Sequence, residues 1–267
     1  MSATWLYQSL DSFNCVEQTL VHEQKWQREF ELSSIFSELS RLKTQLEEQS
    51  YNQLSKRDAL YQIIDFLIDE VGFTGPGLQA LPESSLSNLS FCIMHKTGNE
   101  VTLAVVFCYL LKNLGFNAMI SDLSEGIVLA IKLSNSEIVL VDAMSGATEY
   151  LISNDDVKSS LVSDIAHYAK PLANDELVTL LLSEQKVALL EEDMFEQALV
   201  CVEVLMELLP EDPYERRDRG LVLNELDCGQ WAKDDFDYFI KACPNDPMAM
   251  FIRLQLEEQS PIVATIH

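Results

Sequence analysis

Glycine is scarce in this chain, with nine in 267 residues, and that scarcity favours long helices over a turn-rich all-β fold. Basic side chains are also short: 18 Lys and Arg stand against 43 Asp and Glu, a formal net charge of −25. Phosphate contacts need clustered cations, so this balance excludes a direct nucleic-acid binder. It argues equally against docking on an anionic membrane surface. Long apolar runs are missing: the longest, Leu103 to Leu111, is about half of the ~20 residues needed to cross a bilayer. The opening MSATWLYQSLDSF has no basic region ahead of an apolar stretch and does not read as a signal peptide. The six cysteines, Cys15, Cys92, Cys108, Cys201, Cys228 and Cys243, form no CxxC and no Cys/His cluster with metal spacing. The expectation is a reduced, cytoplasmic protein with no metal and no cofactor.

What is present is enough apolar material for a core. Hydrophobic residues make up 48%, which excludes disorder, and the length suits one or two domains. Residues 5 to about 70 read as helices. Ile35, Leu39, Leu42 and Leu46 form one stripe at helical spacing, and Leu60, Ile63, Ile64, Leu67, Ile68 and Val71 a second, ended by Gly72. Residues 72–90 read as a loop from their Gly, Pro and Ser content. An apolar helix follows from about Val101 to Leu114, closed by Gly115. The period then changes. Ile127 to Leu133 and Glu137 to Ala143 are β-rich runs around Ser134-Asn135-Ser136, a hairpin signal, with a further strand near Asn117 to Ile120. The fold class expected for residues 1–174 is α+β: a helical preface, a loop, a buried helix and a small antiparallel sheet.

Residues 175–267 return to helix and repeat. Leu209-Pro210-Glu211-Asp212-Pro213 recurs as Cys243-Pro244-Asn245-Asp246-Pro247, and Ala198 recurs as Ala232, both at the 34-residue tetratricopeptide period. Gly220, Ala232, Phe236 and Pro244 fall at the small, small, aromatic and terminal-proline positions of that pattern. Lys186 stands where the first unit would have its small residue, and Met248 to Glu258 reads as a capping helix. Fewer than three units rarely stand alone, so the pair is expected to pack on the N-terminal domain.

Few residues offer chemistry. Gly72-Phe73-Thr74-Gly75-Pro76-Gly77 lacks the Lys-Ser/Thr of a phosphate loop and reads as a turn. Cys92 and His95 are three apart, and Asp164 and His167 share a helical spacing; a buried thiol with a solvated imidazole, and a surface pair, are the simpler readings. His22 lies in a polar helix and His267 is the last residue.

GFTG, the loop ending in SLSNL, TGNEVTLAVVFCYLLKNLGF, IVLAIKL and EIVLVDAMSG together resemble the transglutaminase-like core of the SirB-one family. ELLPEDPYERRDRGLVLNELDCGQWAKDDFDYFIKACPNDP is similar to that family's tetratricopeptide tail. The resemblance covers about residues 60 to 260. It implies a papain-like transglutaminase core followed by helical repeats, in mostly uncharacterised bacterial proteins linked to regulation of invasion genes. It also implies where a triad would sit. The nucleophilic cysteine at the start of the central helix falls on Thr102, the activating histidine on Gly126 or Glu125, and the orienting aspartate on Asp142. Only Asp142 is retained. A hydroxyl without a neighbouring base is not a competent nucleophile, so a pseudoenzyme is expected. The simpler reading of these residues is that Thr102 caps or packs and that Asp142 satisfies a strand-end donor.

The function expected is a non-catalytic interaction or regulatory protein that takes a protein or peptide partner on its helical repeats. The alternative is a residual cysteine-type hydrolase or acyl-transferase in the same cleft. Within YERRDR, Arg216, Arg217 and Arg219 are the candidate binding residues, either clamping a partner's carboxylate or pairing within the chain with acids such as Glu215 and Asp218. The negative charge is uneven: residues 1–174 carry 22 acids and 11 bases, net −11, and residues 175–267 carry 21 and 7, net −14. A partner of the tail is therefore expected to present basic or polar groups.

Overall fold

The computed structural model describes residues 14–49, 51–77, 81–123, 126–134, 137–152 and 171–259. Two compact units divide at Ala188/Leu189. In the first, α1 (Cys15–Glu23) and α2 (Leu32–Glu48) open the chain. The stripe Ile35, Leu39, Leu42 and Leu46 is the buried face of α2. α3 (Lys56–Asp65) begins at Ser55, whose hydroxyl accepts from the Asp58 amide and so supplies its N-cap. It buries Leu60, Ile63 and Ile64, then loosens into a π-helical turn over Phe66–Glu70 that the apolar spacing does not predict.

Residues 72–90 are not simply a loop. They contain α4 (Glu83–Leu86) and the start of α5 (Leu89–His95). Seven residues are too few for a periodic stripe, and α5 forms because its first amides find partners. The Asn88 side chain accepts from the Phe91 amide at 2.8 Å. From α1, the Glu23 carboxylate accepts the Leu89 amide at 2.7 Å and the Ser90 amide at 3.0 Å. The second cap is 66 residues away in sequence, so no local pattern announces it.

α6 (Glu100–Asn113) is the centre of this unit. Its side chains from Val101 to Cys108, with Leu110 and Leu111, are all buried, as expected of a helix apolar on every side. It packs against the antiparallel meander β1 (Asn117–Leu123), β2 (Gly126–Lys132), β3 (Glu137–Val141) and β4 (Thr148–Ile152), ordered β1-β2-β3-β4. Ile120 opposes Leu129, Leu129 opposes Val141 and Ile131 opposes Val139. All of these are buried, so alternate residues of three strands supply one apolar face. The hairpin expected after α6 is β2–β3. β4, which the sequence reading omits, pairs Val141 with Thr148 through a turn stabilised by Asp142.

α7 (Asn174–Glu191) begins in the first unit, where Leu177, Val178, Leu181 and Leu182 are buried. That burial carries the division between units beyond the 174/175 boundary read from helix content. The second unit continues with α8 (Phe195–Leu208), α9 (Pro213–Glu225), α10 (Gly229–Ala242) and α11 (Pro247–Gln259). The sequence repeat is also a geometric one. Asp212 and Asp246 each accept the amide two residues on at 2.8 Å, and the Asp212 and Asp246 amides each reach the carbonyl three residues back at 3.1 Å. Gly220 of α9 is where the hairpin closes: a Cβ there would lie 2.7 Å from the Phe236 ring of α10. Gly220→Ala should therefore destabilise the tail by about 1–3 kcal/mol through overpacking, measured by urea denaturation; an unchanged midpoint would show that the ring moves aside freely.

Candidate functional site

At the head of α6 a cleft of about 330 Å³ opens between the helix and the sheet, lined by Glu100, Ala104, Leu129, Val141, Asp142 and Glu149 among others. Of the three positions singled out by the resemblance, Thr102, Gly126 and Asp142, only Asp142 lines this cleft. Thr102 stands on the first turn of α6, where its amide donates to the Asn99 side chain at 2.9 Å. Its hydroxyl is fully buried, 3.1 Å from the Leu86 carbonyl and 3.1 Å from Asn99 Oδ1. It is a packed, backbone-bonded group and does not line the cleft.

Gly126, one of the two candidates for the histidine position, faces Glu100. A Cβ there would lie 3.8 Å from Glu100 Oε1 and 3.9 Å from Oε2. Burial raises the Glu100 carboxyl above its ordinary range, helped by the neighbouring charges of Asp142 and Glu184. Glu125, the other candidate for that position, lies outside the described residues, as do His167 with Asp164 and His267. Asp142 is absorbed by the β3–β4 turn: Oδ1 accepts the Met144 amide at 2.9 Å and Oδ2 the Ser145 hydroxyl at 2.5 Å. This is the turn chemistry of an Asp with a Ser three residues on.

The cysteine alternative meets the same obstacle. Cys92 lies beside Thr102 and hydrogen-bonds it, but burial pushes its thiol up to about 12, and it does the same to Cys108. Burial thus disfavours the thiolate form of both. The His95 ring packs on Phe91, with centroids 4.3 Å apart, and on Phe30, with Glu29 at 3.9 Å. Among the described residues no imidazole is hydrogen-bonded to Asp142, and no group of three metal-capable side chains gathers.

Sequence reasoning missed two carboxylates here. Glu100 occupies the first position of a helix, where an acid is ordinary, and nothing local marks it as a cleft residue. Glu23 looks like one more surface acid beside His22, yet it is fully buried. Besides the Leu89 and Ser90 amides it accepts from the Ser90 hydroxyl at 2.6 Å and from the Gln185 amide. Gln185 in turn accepts from Trp26 Nε1 at 3.0 Å. One carboxylate thus joins α1, α5 and α7, and α5 holds Cys92 against Thr102.

The arginine cluster is engaged within the tail. Arg219 of α9 makes a bidentate pair with Asp235 of α10, both bonds 2.7 Å, and Asp235 is 1% exposed. Arg216 reaches Asp235 at 3.4 Å and lies 4.5 Å from the Tyr238 ring centroid. Arg217 binds Asp218 and sits 5.1 Å from the Tyr214 ring. Of the two readings of this cluster, the geometry carries the intramolecular one, through Asp218, an acid expected from the sequence, and through Asp235, which is not among those expected.

A buried helix packed on an antiparallel meander, followed by helical hairpins of 34 residues, defines a transglutaminase-like core with a tetratricopeptide tail. The chain belongs to the transglutaminase-like superfamily, which it matches over residues 33–179; residues 185–257 match a tetratricopeptide repeat family. It is similar to UPF0162 protein YchA of Escherichia coli K12, 29% identical over 237 residues and 86% of each chain. It is also similar to Protein SirB1 of Salmonella typhimurium, 28% identical over 236 residues, 85% of this chain and 86% of that one. UPF0162 protein PM0557 of Pasteurella multocida is 45% identical over 82 residues, 31% of each. No solved structure matches the chain.

Two outcomes follow from the buried carboxylates. Arg219→Ala leaves Asp235 with only its longer contact to Arg216 and should cost about 2–3 kcal/mol in urea denaturation; Asp235→Ala added to it should cost less than its effect alone. For Glu23 the folded state raises the carboxyl above its unfolded value, burial being the main cause. Its contribution to stability is therefore full below the unfolded value and lost as pH rises through the folded one. Glu38, held down to about 2 by Arg41 and then Lys96, stays ionised from pH 5 upward and adds no slope there. The stability advantage of wild type over Glu23→Gln should accordingly shrink as pH rises above the ordinary glutamate range, read from unfolding midpoints; an advantage that grows would reverse the assignment.

Proposed function

We propose that this chain is a non-catalytic interaction protein of regulatory type, built on a degenerate transglutaminase-like fold, whose tetratricopeptide tail receives a protein partner. The observation that carries this reading is Thr102: at the nucleophile position stands a buried hydroxyl bonded to Leu86 and Asn99. A hydroxyl of ordinary acidity needs a base within hydrogen-bond reach, and the histidine position falls on Gly126 or Glu125, neither of them an imidazole. Asp142, hydrogen-bonded to no imidazole among the described residues, serves its own turn. The buried thiols of Cys92 and Cys108 weigh against the residual cysteine enzyme.

The tail supports the binding half of the proposal. Stacked helical hairpins present extended surfaces, and the net −14 of residues 175–267 steers cationic or polar partners toward them. The place of action proposed is the cytoplasm, in keeping with cysteines that are free throughout the described residues and with the absence there of any helix long and apolar enough to cross a membrane. The test is affinity capture from the native host, identification of the bound protein and titration of that protein against Thr102→Ala and Asp142→Ala. Affinities within about twofold of wild type are expected; a loss of tenfold or more in either variant, about 1.4 kcal/mol, would place the binding in the cleft and contradict the proposal.

A further inference from the structure

The last helix of the tail repeats α9 in its sequence register and in one of its two faces, but not in the other. Positions 34 apart in α9 and α11 share the same N-cap geometry, as Asp212 and Asp246 show. Glu215, Asp218 and Val222 are buried in α9. Their counterparts in α11 are Ala249, Ile252 and Leu256, which pack with Phe236 and Phe239 of α10. On the opposite face the two helices part company. In α9 that face is closed by α10: Gly220 lies under the Phe236 ring and Arg219 clasps Asp235. The counterparts of Gly220, Arg216 and Arg217 are Leu254, Met250 and Phe251, which are 50%, 65% and 54% exposed. Arg253, the counterpart of Arg219, is exposed beside them.

Three large apolar side chains on one helix face exceed single scattered exposure. We infer that this face of α11 docks an amphipathic helix of a partner protein, which completes a third hairpin as α10 completes the second. The inference rests on the reading of the chain as an interaction protein. The equivalence with α9 also defines the chemistry of the occupant. Arg253 calls for an Asp or Glu where Arg219 meets Asp235. Leu254 fills the room that Gly220 leaves for Phe236, so the residue following that acid in the partner is small. The flanks of the helix are basic or neutral, since the tail is strongly acidic. A second copy of this chain is disfavoured as occupant, because it would bring two tails of net −14 together.

The probe is a synthetic peptide of residues 229–242, side-chain stapled because an isolated helix of that length is marginal in water, carrying Phe236→Ala, Asp234→Lys and Asp237→Lys, the last two to make its flanks basic, and a fluorophore. Titrated with the full chain, it should bind saturably and at least tenfold more tightly than the same peptide with Phe236 retained. Arg253→Glu in the protein should weaken it at least tenfold, and Asp235→Lys in the peptide should restore binding to that variant. Leu254→Asp should abolish binding while leaving the circular dichroism and melting of the protein unchanged. Lack of saturable binding, indifference to Arg253→Glu, or equal binding of both peptides would overturn the inference. So would a dimer in sedimentation that Leu254→Asp dissociates, which would make a second copy the occupant. Failure of the peptide with partner capture intact removes this surface alone; failure of both removes the interaction reading.

Discussion

The first unit depends on one carboxylate taken out of water. Glu23 is fully buried on α1, and burial alone would leave an ion there strongly disfavoured. What offsets the loss of water is a complete set of donors: two amides and a hydroxyl at the start of α5, and the Gln185 amide from α7. A seven-residue helix is thereby fixed at its N-terminus, and with it the segment just before it. The Leu86 carbonyl in that segment accepts both the Asn99 amide and the Thr102 hydroxyl. The head of the central helix, where a catalytic group would stand in an active relative of this fold, is therefore tied into structural hydrogen bonds.

The tail uses the same device with opposite partners. Asp235 is nearly inaccessible and is held by the forked guanidinium of Arg219, a geometry that fixes direction as well as charge. Beside it, Gly220 and Phe236 fit because one side chain is missing where the other is large. Polar pairing sets the register of the hairpin and close approach sets its spacing. Both explain why Arg216 and Arg219 of this acidic tail engage their own chain.

Much of this was legible in the residues. The apolar stripe of α2, the wholly apolar α6, the β2–β3 hairpin and the 34-residue repeat each rest on a pattern longer than the element's own ends, and each formed as read. The elements that escaped reading depend on distant partners. α5 needs Glu23 from another helix, β4 is five residues placed by its pairing with β3, and the π-turn at Phe66–Glu70 alters helix geometry without altering the apolar spacing. For Thr102, Gly126 and Asp142 the sequence offers positions but not contacts. The proximity of Glu100 to Gly126 belongs to folding, and no sequence spacing encodes it.

On the proposed reading, the cleft lined by Glu100, Asp142 and Glu149, beside the buried Thr102 hydroxyl, is a scaffold whose surfaces rather than its cavity act. The most direct test of that central claim is incorporation of a fluorescent primary amine into a glutamine-containing peptide, with release of ammonia followed in parallel, by wild type and by Thr102→Ala. The account predicts that both proceed at the rate of the uncatalysed reaction. Turnover by wild type that disappears in Thr102→Ala would contradict it.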